Sequence, residues 1–528
     1  MILIIWVAVV IAALVIYYRQ NYSMFSRYGV KQFMPIPLLG NMARVVFRVE
    51  HSTDNMLRLY SSFPGERFVG RYEFSQEMVV IRDIELAKKI AIKDFEHFLD
   101  HRDFFRIGDS YFTRSLIAME GQDWKDMRSS LSPAFTSSKM RQMLPFITEV
   151  GDQMIRSLQK KIKDSKTGHI EVDCKDLTTR YTNDVIASCA FGLKVDSHND
   201  EDNEFYAMGK ASATFTLRHI LLFFLMQIVP PKVSELDILS KDSQTFFRKL
   251  VLETMEEREK KKIIRPDMIH LLMLAKKGKL TYDDVKSSND DAGFATVEES
   301  AVGQKKHNRE WSDDDIIAQA VLFFVAGFET VSSGMSFLLY ELALNPDVQE
   351  RLAQEIKETD AKNGGKLDFN TIQNMPYMDM VISELLRKWP PAPVLDRVCT
   401  QDYNLGKPND KSEKDFIVRK GTAIAIPLNG IHRNPQYFPD PEKFDPERFS
   451  EENKHKIQPF SYMPFGVGPR NCIGSRFALS EVKALTYQLL QNFALSPSER
   501  TCIPARLDKA ALTVKLAGGD WLRFCARK

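Results

Sequence analysis

The sequence predicts a mainly α-helical protein with a small β-rich subdomain, and three observations predict it. Beyond Glu85 most stretches read as helix, including 146–163, 176–191 and 242–262. A Ser312-x-x-Asp315 capping pattern opens an apolar run to Leu344, roughly thirty residues and about 45 Å of helix. Strand-like alternation rich in Val, Phe and Tyr is concentrated in 67–81, a strand pair.

The chain has 528 residues, 44% hydrophobic and 27% charged, an ordinary globular composition with ample core. That length suggests two subdomains or one layered body around a cofactor. A net charge of +2 argues against bulk nucleic-acid binding. Six cysteines (174, 189, 399, 472, 502, 525) are scattered without a CxxC pair or zinc spacing. That pattern fits a reducing compartment better than a disulfide framework.

Residues 2–16 form an unbroken apolar run, extended by Tyr17 and Tyr18 and followed by Arg19. At about 1.5 Å per residue it matches the hydrocarbon thickness of a thin bilayer. A cleaved signal peptide has a shorter apolar region preceded by positive charge. Here Arg19, Arg27, Lys31, Arg44 and Arg48 come after it, which favours a retained anchor with the body on the cytosolic side. The lack of arginine in the first eighteen residues disfavours a mitochondrial transit peptide. Met34-Pro35-Ile36-Pro37-Leu38-Leu39-Gly40-Asn41 then reads as a stiff hinge.

The stretch 100–118 is aromatic-rich without clear period (Phe104, Phe105, Tyr111, Phe112) and reads as core or as pocket lining. Trp124 and Arg128 follow at i, i+4, where an indole N–H and a guanidinium suit one anionic partner. The apolar block 214–231, containing Leu221-Leu222-Phe223-Phe224-Leu225-Met226, is too short to span a membrane and reads as core or as a lid. The polar stretch 287–309 reads as a mobile surface loop.

The centre of the long helix is apolar nearly all round, so it is buried or transmembrane. Glu329 at its middle speaks against a bilayer, and a buried carboxylate needs a reason. Gly327 weakens the local helical bond and admits close approach, while Thr330 either back-bonds to a helix carbonyl or serves chemistry. A helix at 376–388 carries Glu384 and Arg387 at i, i+3, ordinarily a solvated pair. Pro390-Pro391-Ala392-Pro393 breaks it and the chain turns extended.

Pro464-Phe465-Gly466-Val467-Gly468-Pro469-Arg470-Asn471-Cys472-Ile473-Gly474 is a tight loop ahead of a helix at 475–491. It is built to pack against something flat. The helix points its positive end at Cys472, which predicts a lowered thiol pKa and a metal-binding thiolate, although most lone cysteines are small buried hydrophobes. Arg470 suits an anionic group on the same ligand. His432 is a second axial candidate but reads better as a satisfied polar contact.

The string Phe465, Gly468, Arg470, Cys472, Gly474 resembles the haem-binding loop of the cytochrome P450 family. Ala326-Gly327-Phe328-Glu329-Thr330 resembles that family's kink above the haem, and Trp124-x-x-x-Arg128 its propionate contact. Glu384-x-x-Arg387 with Pro446-Glu447-Arg448-Phe449 resembles its buried three-member lock. The hinge lacks the family's Pro-Pro-Gly-Pro, so only its stiffness carries over. Arg265-Pro266-Asp267-Met268-Ile269-His270-Leu271-Leu272 looks most like insect microsomal members that oxidise foreign lipophilic compounds.

The resemblance implies a cytochrome P450 fold divided into an anchor (1–18), a basic, proline-containing hinge (19–41) and a haem-thiolate monooxygenase domain (42–528). It implies haem b held by Cys472 as axial iron ligand. Arg470, Trp124, Arg128 and Arg397 would serve its propionates, with Phe465, Gly468, Gly474 and Gly327 close to it. Thr330 and Glu329 would deliver protons, a need set by two protons going to one oxygen in an apolar pocket. Glu384, Arg387 and Arg448 would fix the cysteine loop, and 214–231 would be the substrate lid. The pocket would be shaped near Phe112, Phe215, Phe323, Phe328 and the residues after Pro393.

The chain carries no dinucleotide or flavin fingerprint of its own, so electrons would come from NADPH through a separate cytochrome P450 reductase, with cytochrome b5 as a further partner. Lys125, Lys139 and Arg141 are docking candidates or plain surface charge. The implied location is the endoplasmic reticulum membrane, catalytic domain on the cytoplasmic side. Two rivals are a haem-thiolate isomerase or dehydratase needing no reductase, and a non-enzymatic haem or lipophile binder.

Overall fold

Helix outweighs strand in the computed structural model, which describes residues 2–102, 111–200, 202–213, 240–280, 293–297, 299–304 and 309–527. The helices used below are α1 (Ile2–Tyr22), α2 (Gly121–Leu131), α3 (Ser137–Asp164), α4 (Cys174–Ile186), α5 (Asp313–Leu344), α6 (Pro376–Lys388) and α7 (Ser475–Asn492).

The 32-residue α5 organises the helical part. Ser312 caps it: its hydroxyl accepts from the Asp315 N–H at 3.2 Å, and Asp315 returns the bond to the Ser312 N–H at 3.0 Å. Asp313, Asp314 and Asp315 sit where the helix dipole favours negative charge. The helix is long and apolar enough to cross a bilayer, yet most of its side chains are buried inside the protein, where it runs along α4. Its apolar circumference is the signature of a core helix.

Three differences from the sequence reading have physical causes. α3 starts at Ser137 and carries Pro145 inside it, whereas the sequence suggests a start after that proline. A continuous buried face (Met140, Met143, Leu144, Ile147, Val150) offsets the missing backbone bond. The helix expected over 176–191 ends as α-helix at Ile186, widens into one turn over Ala187–Phe191, and stops at Gly192 with φ +71°. At the N-terminus, α1 continues to Tyr22, so an 18/19 boundary falls inside a helix. Ile5, Trp6, Val9, Ile11, Val15 and Ile16 are exposed along it, while Tyr22 is 1% exposed and meets the Tyr72 ring edge-on at 4.9 Å.

The strands are β1 (Phe68–Glu73), β2 (Gln76–Ile81), β3 (His169–Asp173), β4 (Leu395–Val398), β5 (Tyr403–Gly406), β6 (Phe416–Val418), β7 (Ala423–Ile426), β8 (Phe493–Pro497) and β9 (Trp521–Ala526). The expected 67–81 pair is the β1–β2 hairpin, registered Phe68 to Ile81. It belongs to a four-stranded sheet ordered β1-β2-β7-β4, with β2–β7 parallel and β4–β7 antiparallel. β3-β9-β8 and β5-β6 complete the strands among the described residues. The extended chain expected after Pro393 is β4. A second core, under this sheet, joins Phe25, Tyr72, Val79 and Ile424.

Candidate active site

A cavity of about 400 Å³ lies between the middle of α5 and the loop that precedes α7. Ala326, Gly327 and Thr330 form one wall, and Phe465, Gly466, Cys472, Ile473 and Gly474 face them. The remaining lining is mostly apolar. The Cys472 side chain is exposed to this space. Its N–H donates to the Phe465 carbonyl at 2.8 Å, closing the loop on itself.

Two glycines allow that closure. Gly466 and Gly468 have φ +75° and +72°. A Cβ on Gly468 would stand 2.0 Å from the Ala91 carbonyl oxygen, so this glycine lets the loop dock on the helical turn Lys89–Lys93 rather than on a ligand. Gly474 has φ −91° and ordinary space around it; it is the N-cap of α7. Gly468→Ala is expected to cost about 1–3 kcal/mol for the left-handed backbone before the clash is counted. Haem-to-protein absorbance should fall by at least half, and wild-type loading would refute the docking role.

The expected lowering of the Cys472 pKa does not hold in this geometry. Although it opens onto the cavity, the thiol is enclosed within the protein, and that burial pushes its pKa up against the pull of the Gly474 N–H and the Arg128 charge. The helix end alone therefore does not produce a thiolate, whereas a metal cation at the sulfur would.

Arg470, Trp124 and Arg128 all line the cavity. The Arg470 guanidinium lies 4.0 Å over the Trp124 ring and donates to the carbonyls of Leu99 (2.8 Å), Leu116 (3.3 Å) and Met119 (2.7 Å). Burial, then the neighbouring Arg397 charge, pushes its pKa down to about 9. Arg397 on β4 is buried behind the wall, donates to the Asp396 carbonyl at 2.6 Å, and is also pushed down by burial. Arg128 donates to the Asn471 carbonyl and Oδ1, each at 2.7 Å, and pairs with Glu299 at 2.8 Å. Arg470 and Arg128 thus line one edge of an apolar cavity with Arg397 behind them. Arg470 feels both neighbouring charges, offset in part by Asp100 at 3.6 Å, and an anion in the cavity would relieve it further. A flat ligand with acidic arms at that edge and a metal over Cys472 fits these residues, which is the shape and charge of haem.

On the opposite wall, the Thr330 hydroxyl faces the cavity and donates to the Ala326 carbonyl at 2.7 Å, the back-bonded alternative. Glu329 does not line the cavity. Its carboxylate pairs with Lys175 of α4 at 3.2 Å and accepts from Ser333 at 3.3 Å. Lys175 also donates to Ser332 (2.7 Å) and Ser333 (2.9 Å), so the acid expected beside the oxygen is held on the far side of the helix. A Cβ on Gly327 would meet Ile186 at 3.2 Å, which makes this glycine a helix-packing site as well as a cavity residue.

The three-member lock is present. Glu384 and Arg387 are fully buried and bidentate at 2.7 and 2.8 Å, and Arg448 approaches Glu384 at 3.5 Å. Arg387 also holds the carbonyls of His432 (3.0 Å), Pro441 (2.8 Å) and Lys443 (3.3 Å). His432 does not line the cavity: its Nε2 accepts from the Met463 N–H at 3.0 Å, and burial pushes its pKa down to about 3.

Other expectations shift. Phe323 lines the cavity, but Phe328 is buried away from it against Phe324, and Phe112 is a core residue. Phe135, edge-on to Phe323 at 5.3 Å, takes a lining position that sequence reasoning missed. Lys125 is occupied by Glu96 at 2.7 Å, and Arg141 covers Phe369 at 5.3 Å. Phe104, Phe105, Phe215 and the 214–231 block lie outside the described residues. The surface-loop reading of 287–309 is corrected in part: Glu299 reaches Arg128, and Phe294 packs on Phe449 and Tyr462 at 5.2 and 5.5 Å. Nothing in the local sequence of Glu299, Lys175 or His101, another lining residue, marks them as parts of a site.

Residues 30–521 match the family model described as Cytochrome P450. Cytochrome P450 9e2 of Blattella germanica is 42% identical over 516 residues, covering 95% of this chain and 93% of that protein. Probable cytochrome P450 9f2 of Drosophila melanogaster is 41% identical over 530 residues, 98% of each chain. Probable cytochrome P450 6a13 of the same fly is 37% identical over 509 residues, 96% and 95% of the two chains.

Proposed function

The chain belongs to the cytochrome P450 family and is a monooxygenase, and from that premise we propose that it oxidises lipophilic small molecules with electrons from a separate reductase. The observation that carries this reading is the Cys472 thiol facing the Thr330 wall across an apolar cavity of about 400 Å³. When bound, haem supplies oxygen activation, tuned by its thiolate ligand.

The residues have separable tasks. Cys472 would hold the metal, and Arg470, Trp124 and Arg128 form the cationic edge that would receive the acidic arms. Arg397 adds charge from behind. The apolar lining excludes water and selects substrates by shape and hydrophobicity rather than by a polar code. Thr330, already turned to the cavity, places a hydroxyl where a proton is needed. Glu329 faces away from the cavity in its pair with Lys175, and it would join a proton relay only by leaving that partner.

Thr330→Val keeps the shape and removes the hydroxyl. Product formation is expected to fall about 10²-fold, the low end for a positioned proton donor, with haem content unchanged. Undiminished turnover would remove Thr330 from the chemistry.

We further infer that 1–18, the apolar part of α1, anchors the protein in the endoplasmic reticulum membrane, that 19–41, which opens with the last turn of that helix, is a stiff hinge, and that 42–528 is the catalytic domain on the cytoplasmic side. The exposed apolar side chains of α1 support this placement. The substrates would be xenobiotics, plant toxins, insecticides or endogenous lipids. The electron donor would be the NADPH-dependent cytochrome P450 reductase, with cytochrome b5 as a second donor. The deciding experiment reduces the haem-loaded protein under carbon monoxide, then screens lipophilic compounds in membranes containing the reductase. A far-red-displaced Soret band and NADPH-dependent products are expected. Without that band the thiolate reading fails; products formed without NADPH would favour an isomerase.

A further inference from the structure

Residues 293–297 and 299–304 form a strap against the cysteine loop, and its centre is a carboxylate. Glu299 grips Arg128 with both oxygens, at 2.8 Å to Nη2 and 3.2 Å to Nε. The same guanidinium holds Asn471, the residue before Cys472, through two 2.7 Å bonds. Val297 and Glu299 border a small cavity of about 20 Å³ together with Cys472 and Ile473, so the strap reaches the neighbourhood of the sulfur. The strap is pinned at one end by Phe294 on Phe449 and Tyr462. At the other, a Cβ on Gly303 would lie 2.4 Å from Glu299 Oε1, so the returning chain closes on the carboxylate.

We propose that Glu299 is a positioning residue for electron uptake: by cancelling the Arg128 charge beside the Cys472 loop, it holds the reduction potential of the site low. The proposal rests on the haem-thiolate reading. A positive charge near the cofactor favours the added electron, and a buried pair is little screened by solvent. Arg128 is buried and Glu299 nearly so. With Glu299 neutral, the Arg128 charge would be opposed only by the acidic arm it receives, and more of it would reach the site. No substrate contact is involved, so the effect belongs to the first electron transfer rather than to substrate binding.

The test compares Glu299→Gln and Glu299→Asp with the wild-type full-length holoprotein. One-electron midpoint potentials are measured anaerobically, and the carbon monoxide spectrum is taken on the same samples. Glu299→Gln is expected to favour reduction by roughly tenfold, about 59 mV more positive, with the displaced Soret band retained. Glu299→Asp, which keeps the charge, should remain near wild type. An unshifted Glu299→Gln, or an Asp variant shifted as far as the Gln variant, overturns the proposal. So does Glu299→Gln protein that purifies without haem, because the clamp is then structural. A wild-type protein lacking the displaced band would instead sink the haem-thiolate reading itself.

Discussion

Arg387→Ala is expected to yield protein without haem. Arg387 is fully buried, holds Glu384 with two bonds, and donates to carbonyls at 432, 441 and 443. Burial already pushes Glu384 up, and Arg387 is the main opposing influence. Without it, Glu384 is left with Arg448 at 3.5 Å and the backbone N–H of Asp445 at 2.8 Å. Stranding one partner of such a pair costs about 3–5 kcal/mol, and each abandoned carbonyl adds to that. The affected chain leads into the cysteine loop, so loss should appear as a low Soret-to-protein ratio together with an earlier thermal transition. Normal haem content in purified Arg387→Ala would show that the lock is dispensable.

Cys472→Ala should separate folding from chemistry. The side chain faces the cavity rather than the core, so its removal costs little packing, and the protein should be as thermally stable as the wild-type apoprotein. The displaced carbon monoxide band should vanish and turnover should fall at least about 10³-fold, as when a covalent or ligating group is removed from other enzymes. Cys189 also lines the cavity. Burial holds its thiol well above the usual range, so Cys189→Ala is expected to leave the band in place. Transfer of the effect from Cys472 to Cys189 would reverse the assignment of the axial sulfur.

The parts of the site written as contiguous motifs were legible in the sequence. The loop ending in Cys472 and Gly474, the Gly327–Thr330 turn and the Glu384–Arg387 pair each sit within a few residues, so local pattern was enough to pick them out, while their roles came from the family resemblance. The partners those motifs recruit were not. Lys175 lies on a helix 154 residues from Glu329 in the chain, and only the fold brings the two together. Side-chain direction was equally hidden: neighbours on one turn of α5 diverge, Thr330 toward the cavity and Glu329 and Phe328 away from it. The four-stranded sheet was half visible, because β4 and β7 are four residues each and join a hairpin more than 300 positions earlier. The thiol pKa was misjudged because the dipole of a helix end is small beside the cost of removing a charge from water.

Tyr22 closes α1 and is wedged against Tyr72 before the proline-containing segment begins. Gly40 then lies so near Tyr72 and Phe74 that a methyl group would not fit. The leading helix is thus splinted to the sheet rather than strung from it. With that helix seated in lipid, the body could not swivel like a buoy on a line; one aromatic latch would steer it, fixing the tilt at which greasy molecules meet the catalytic hollow.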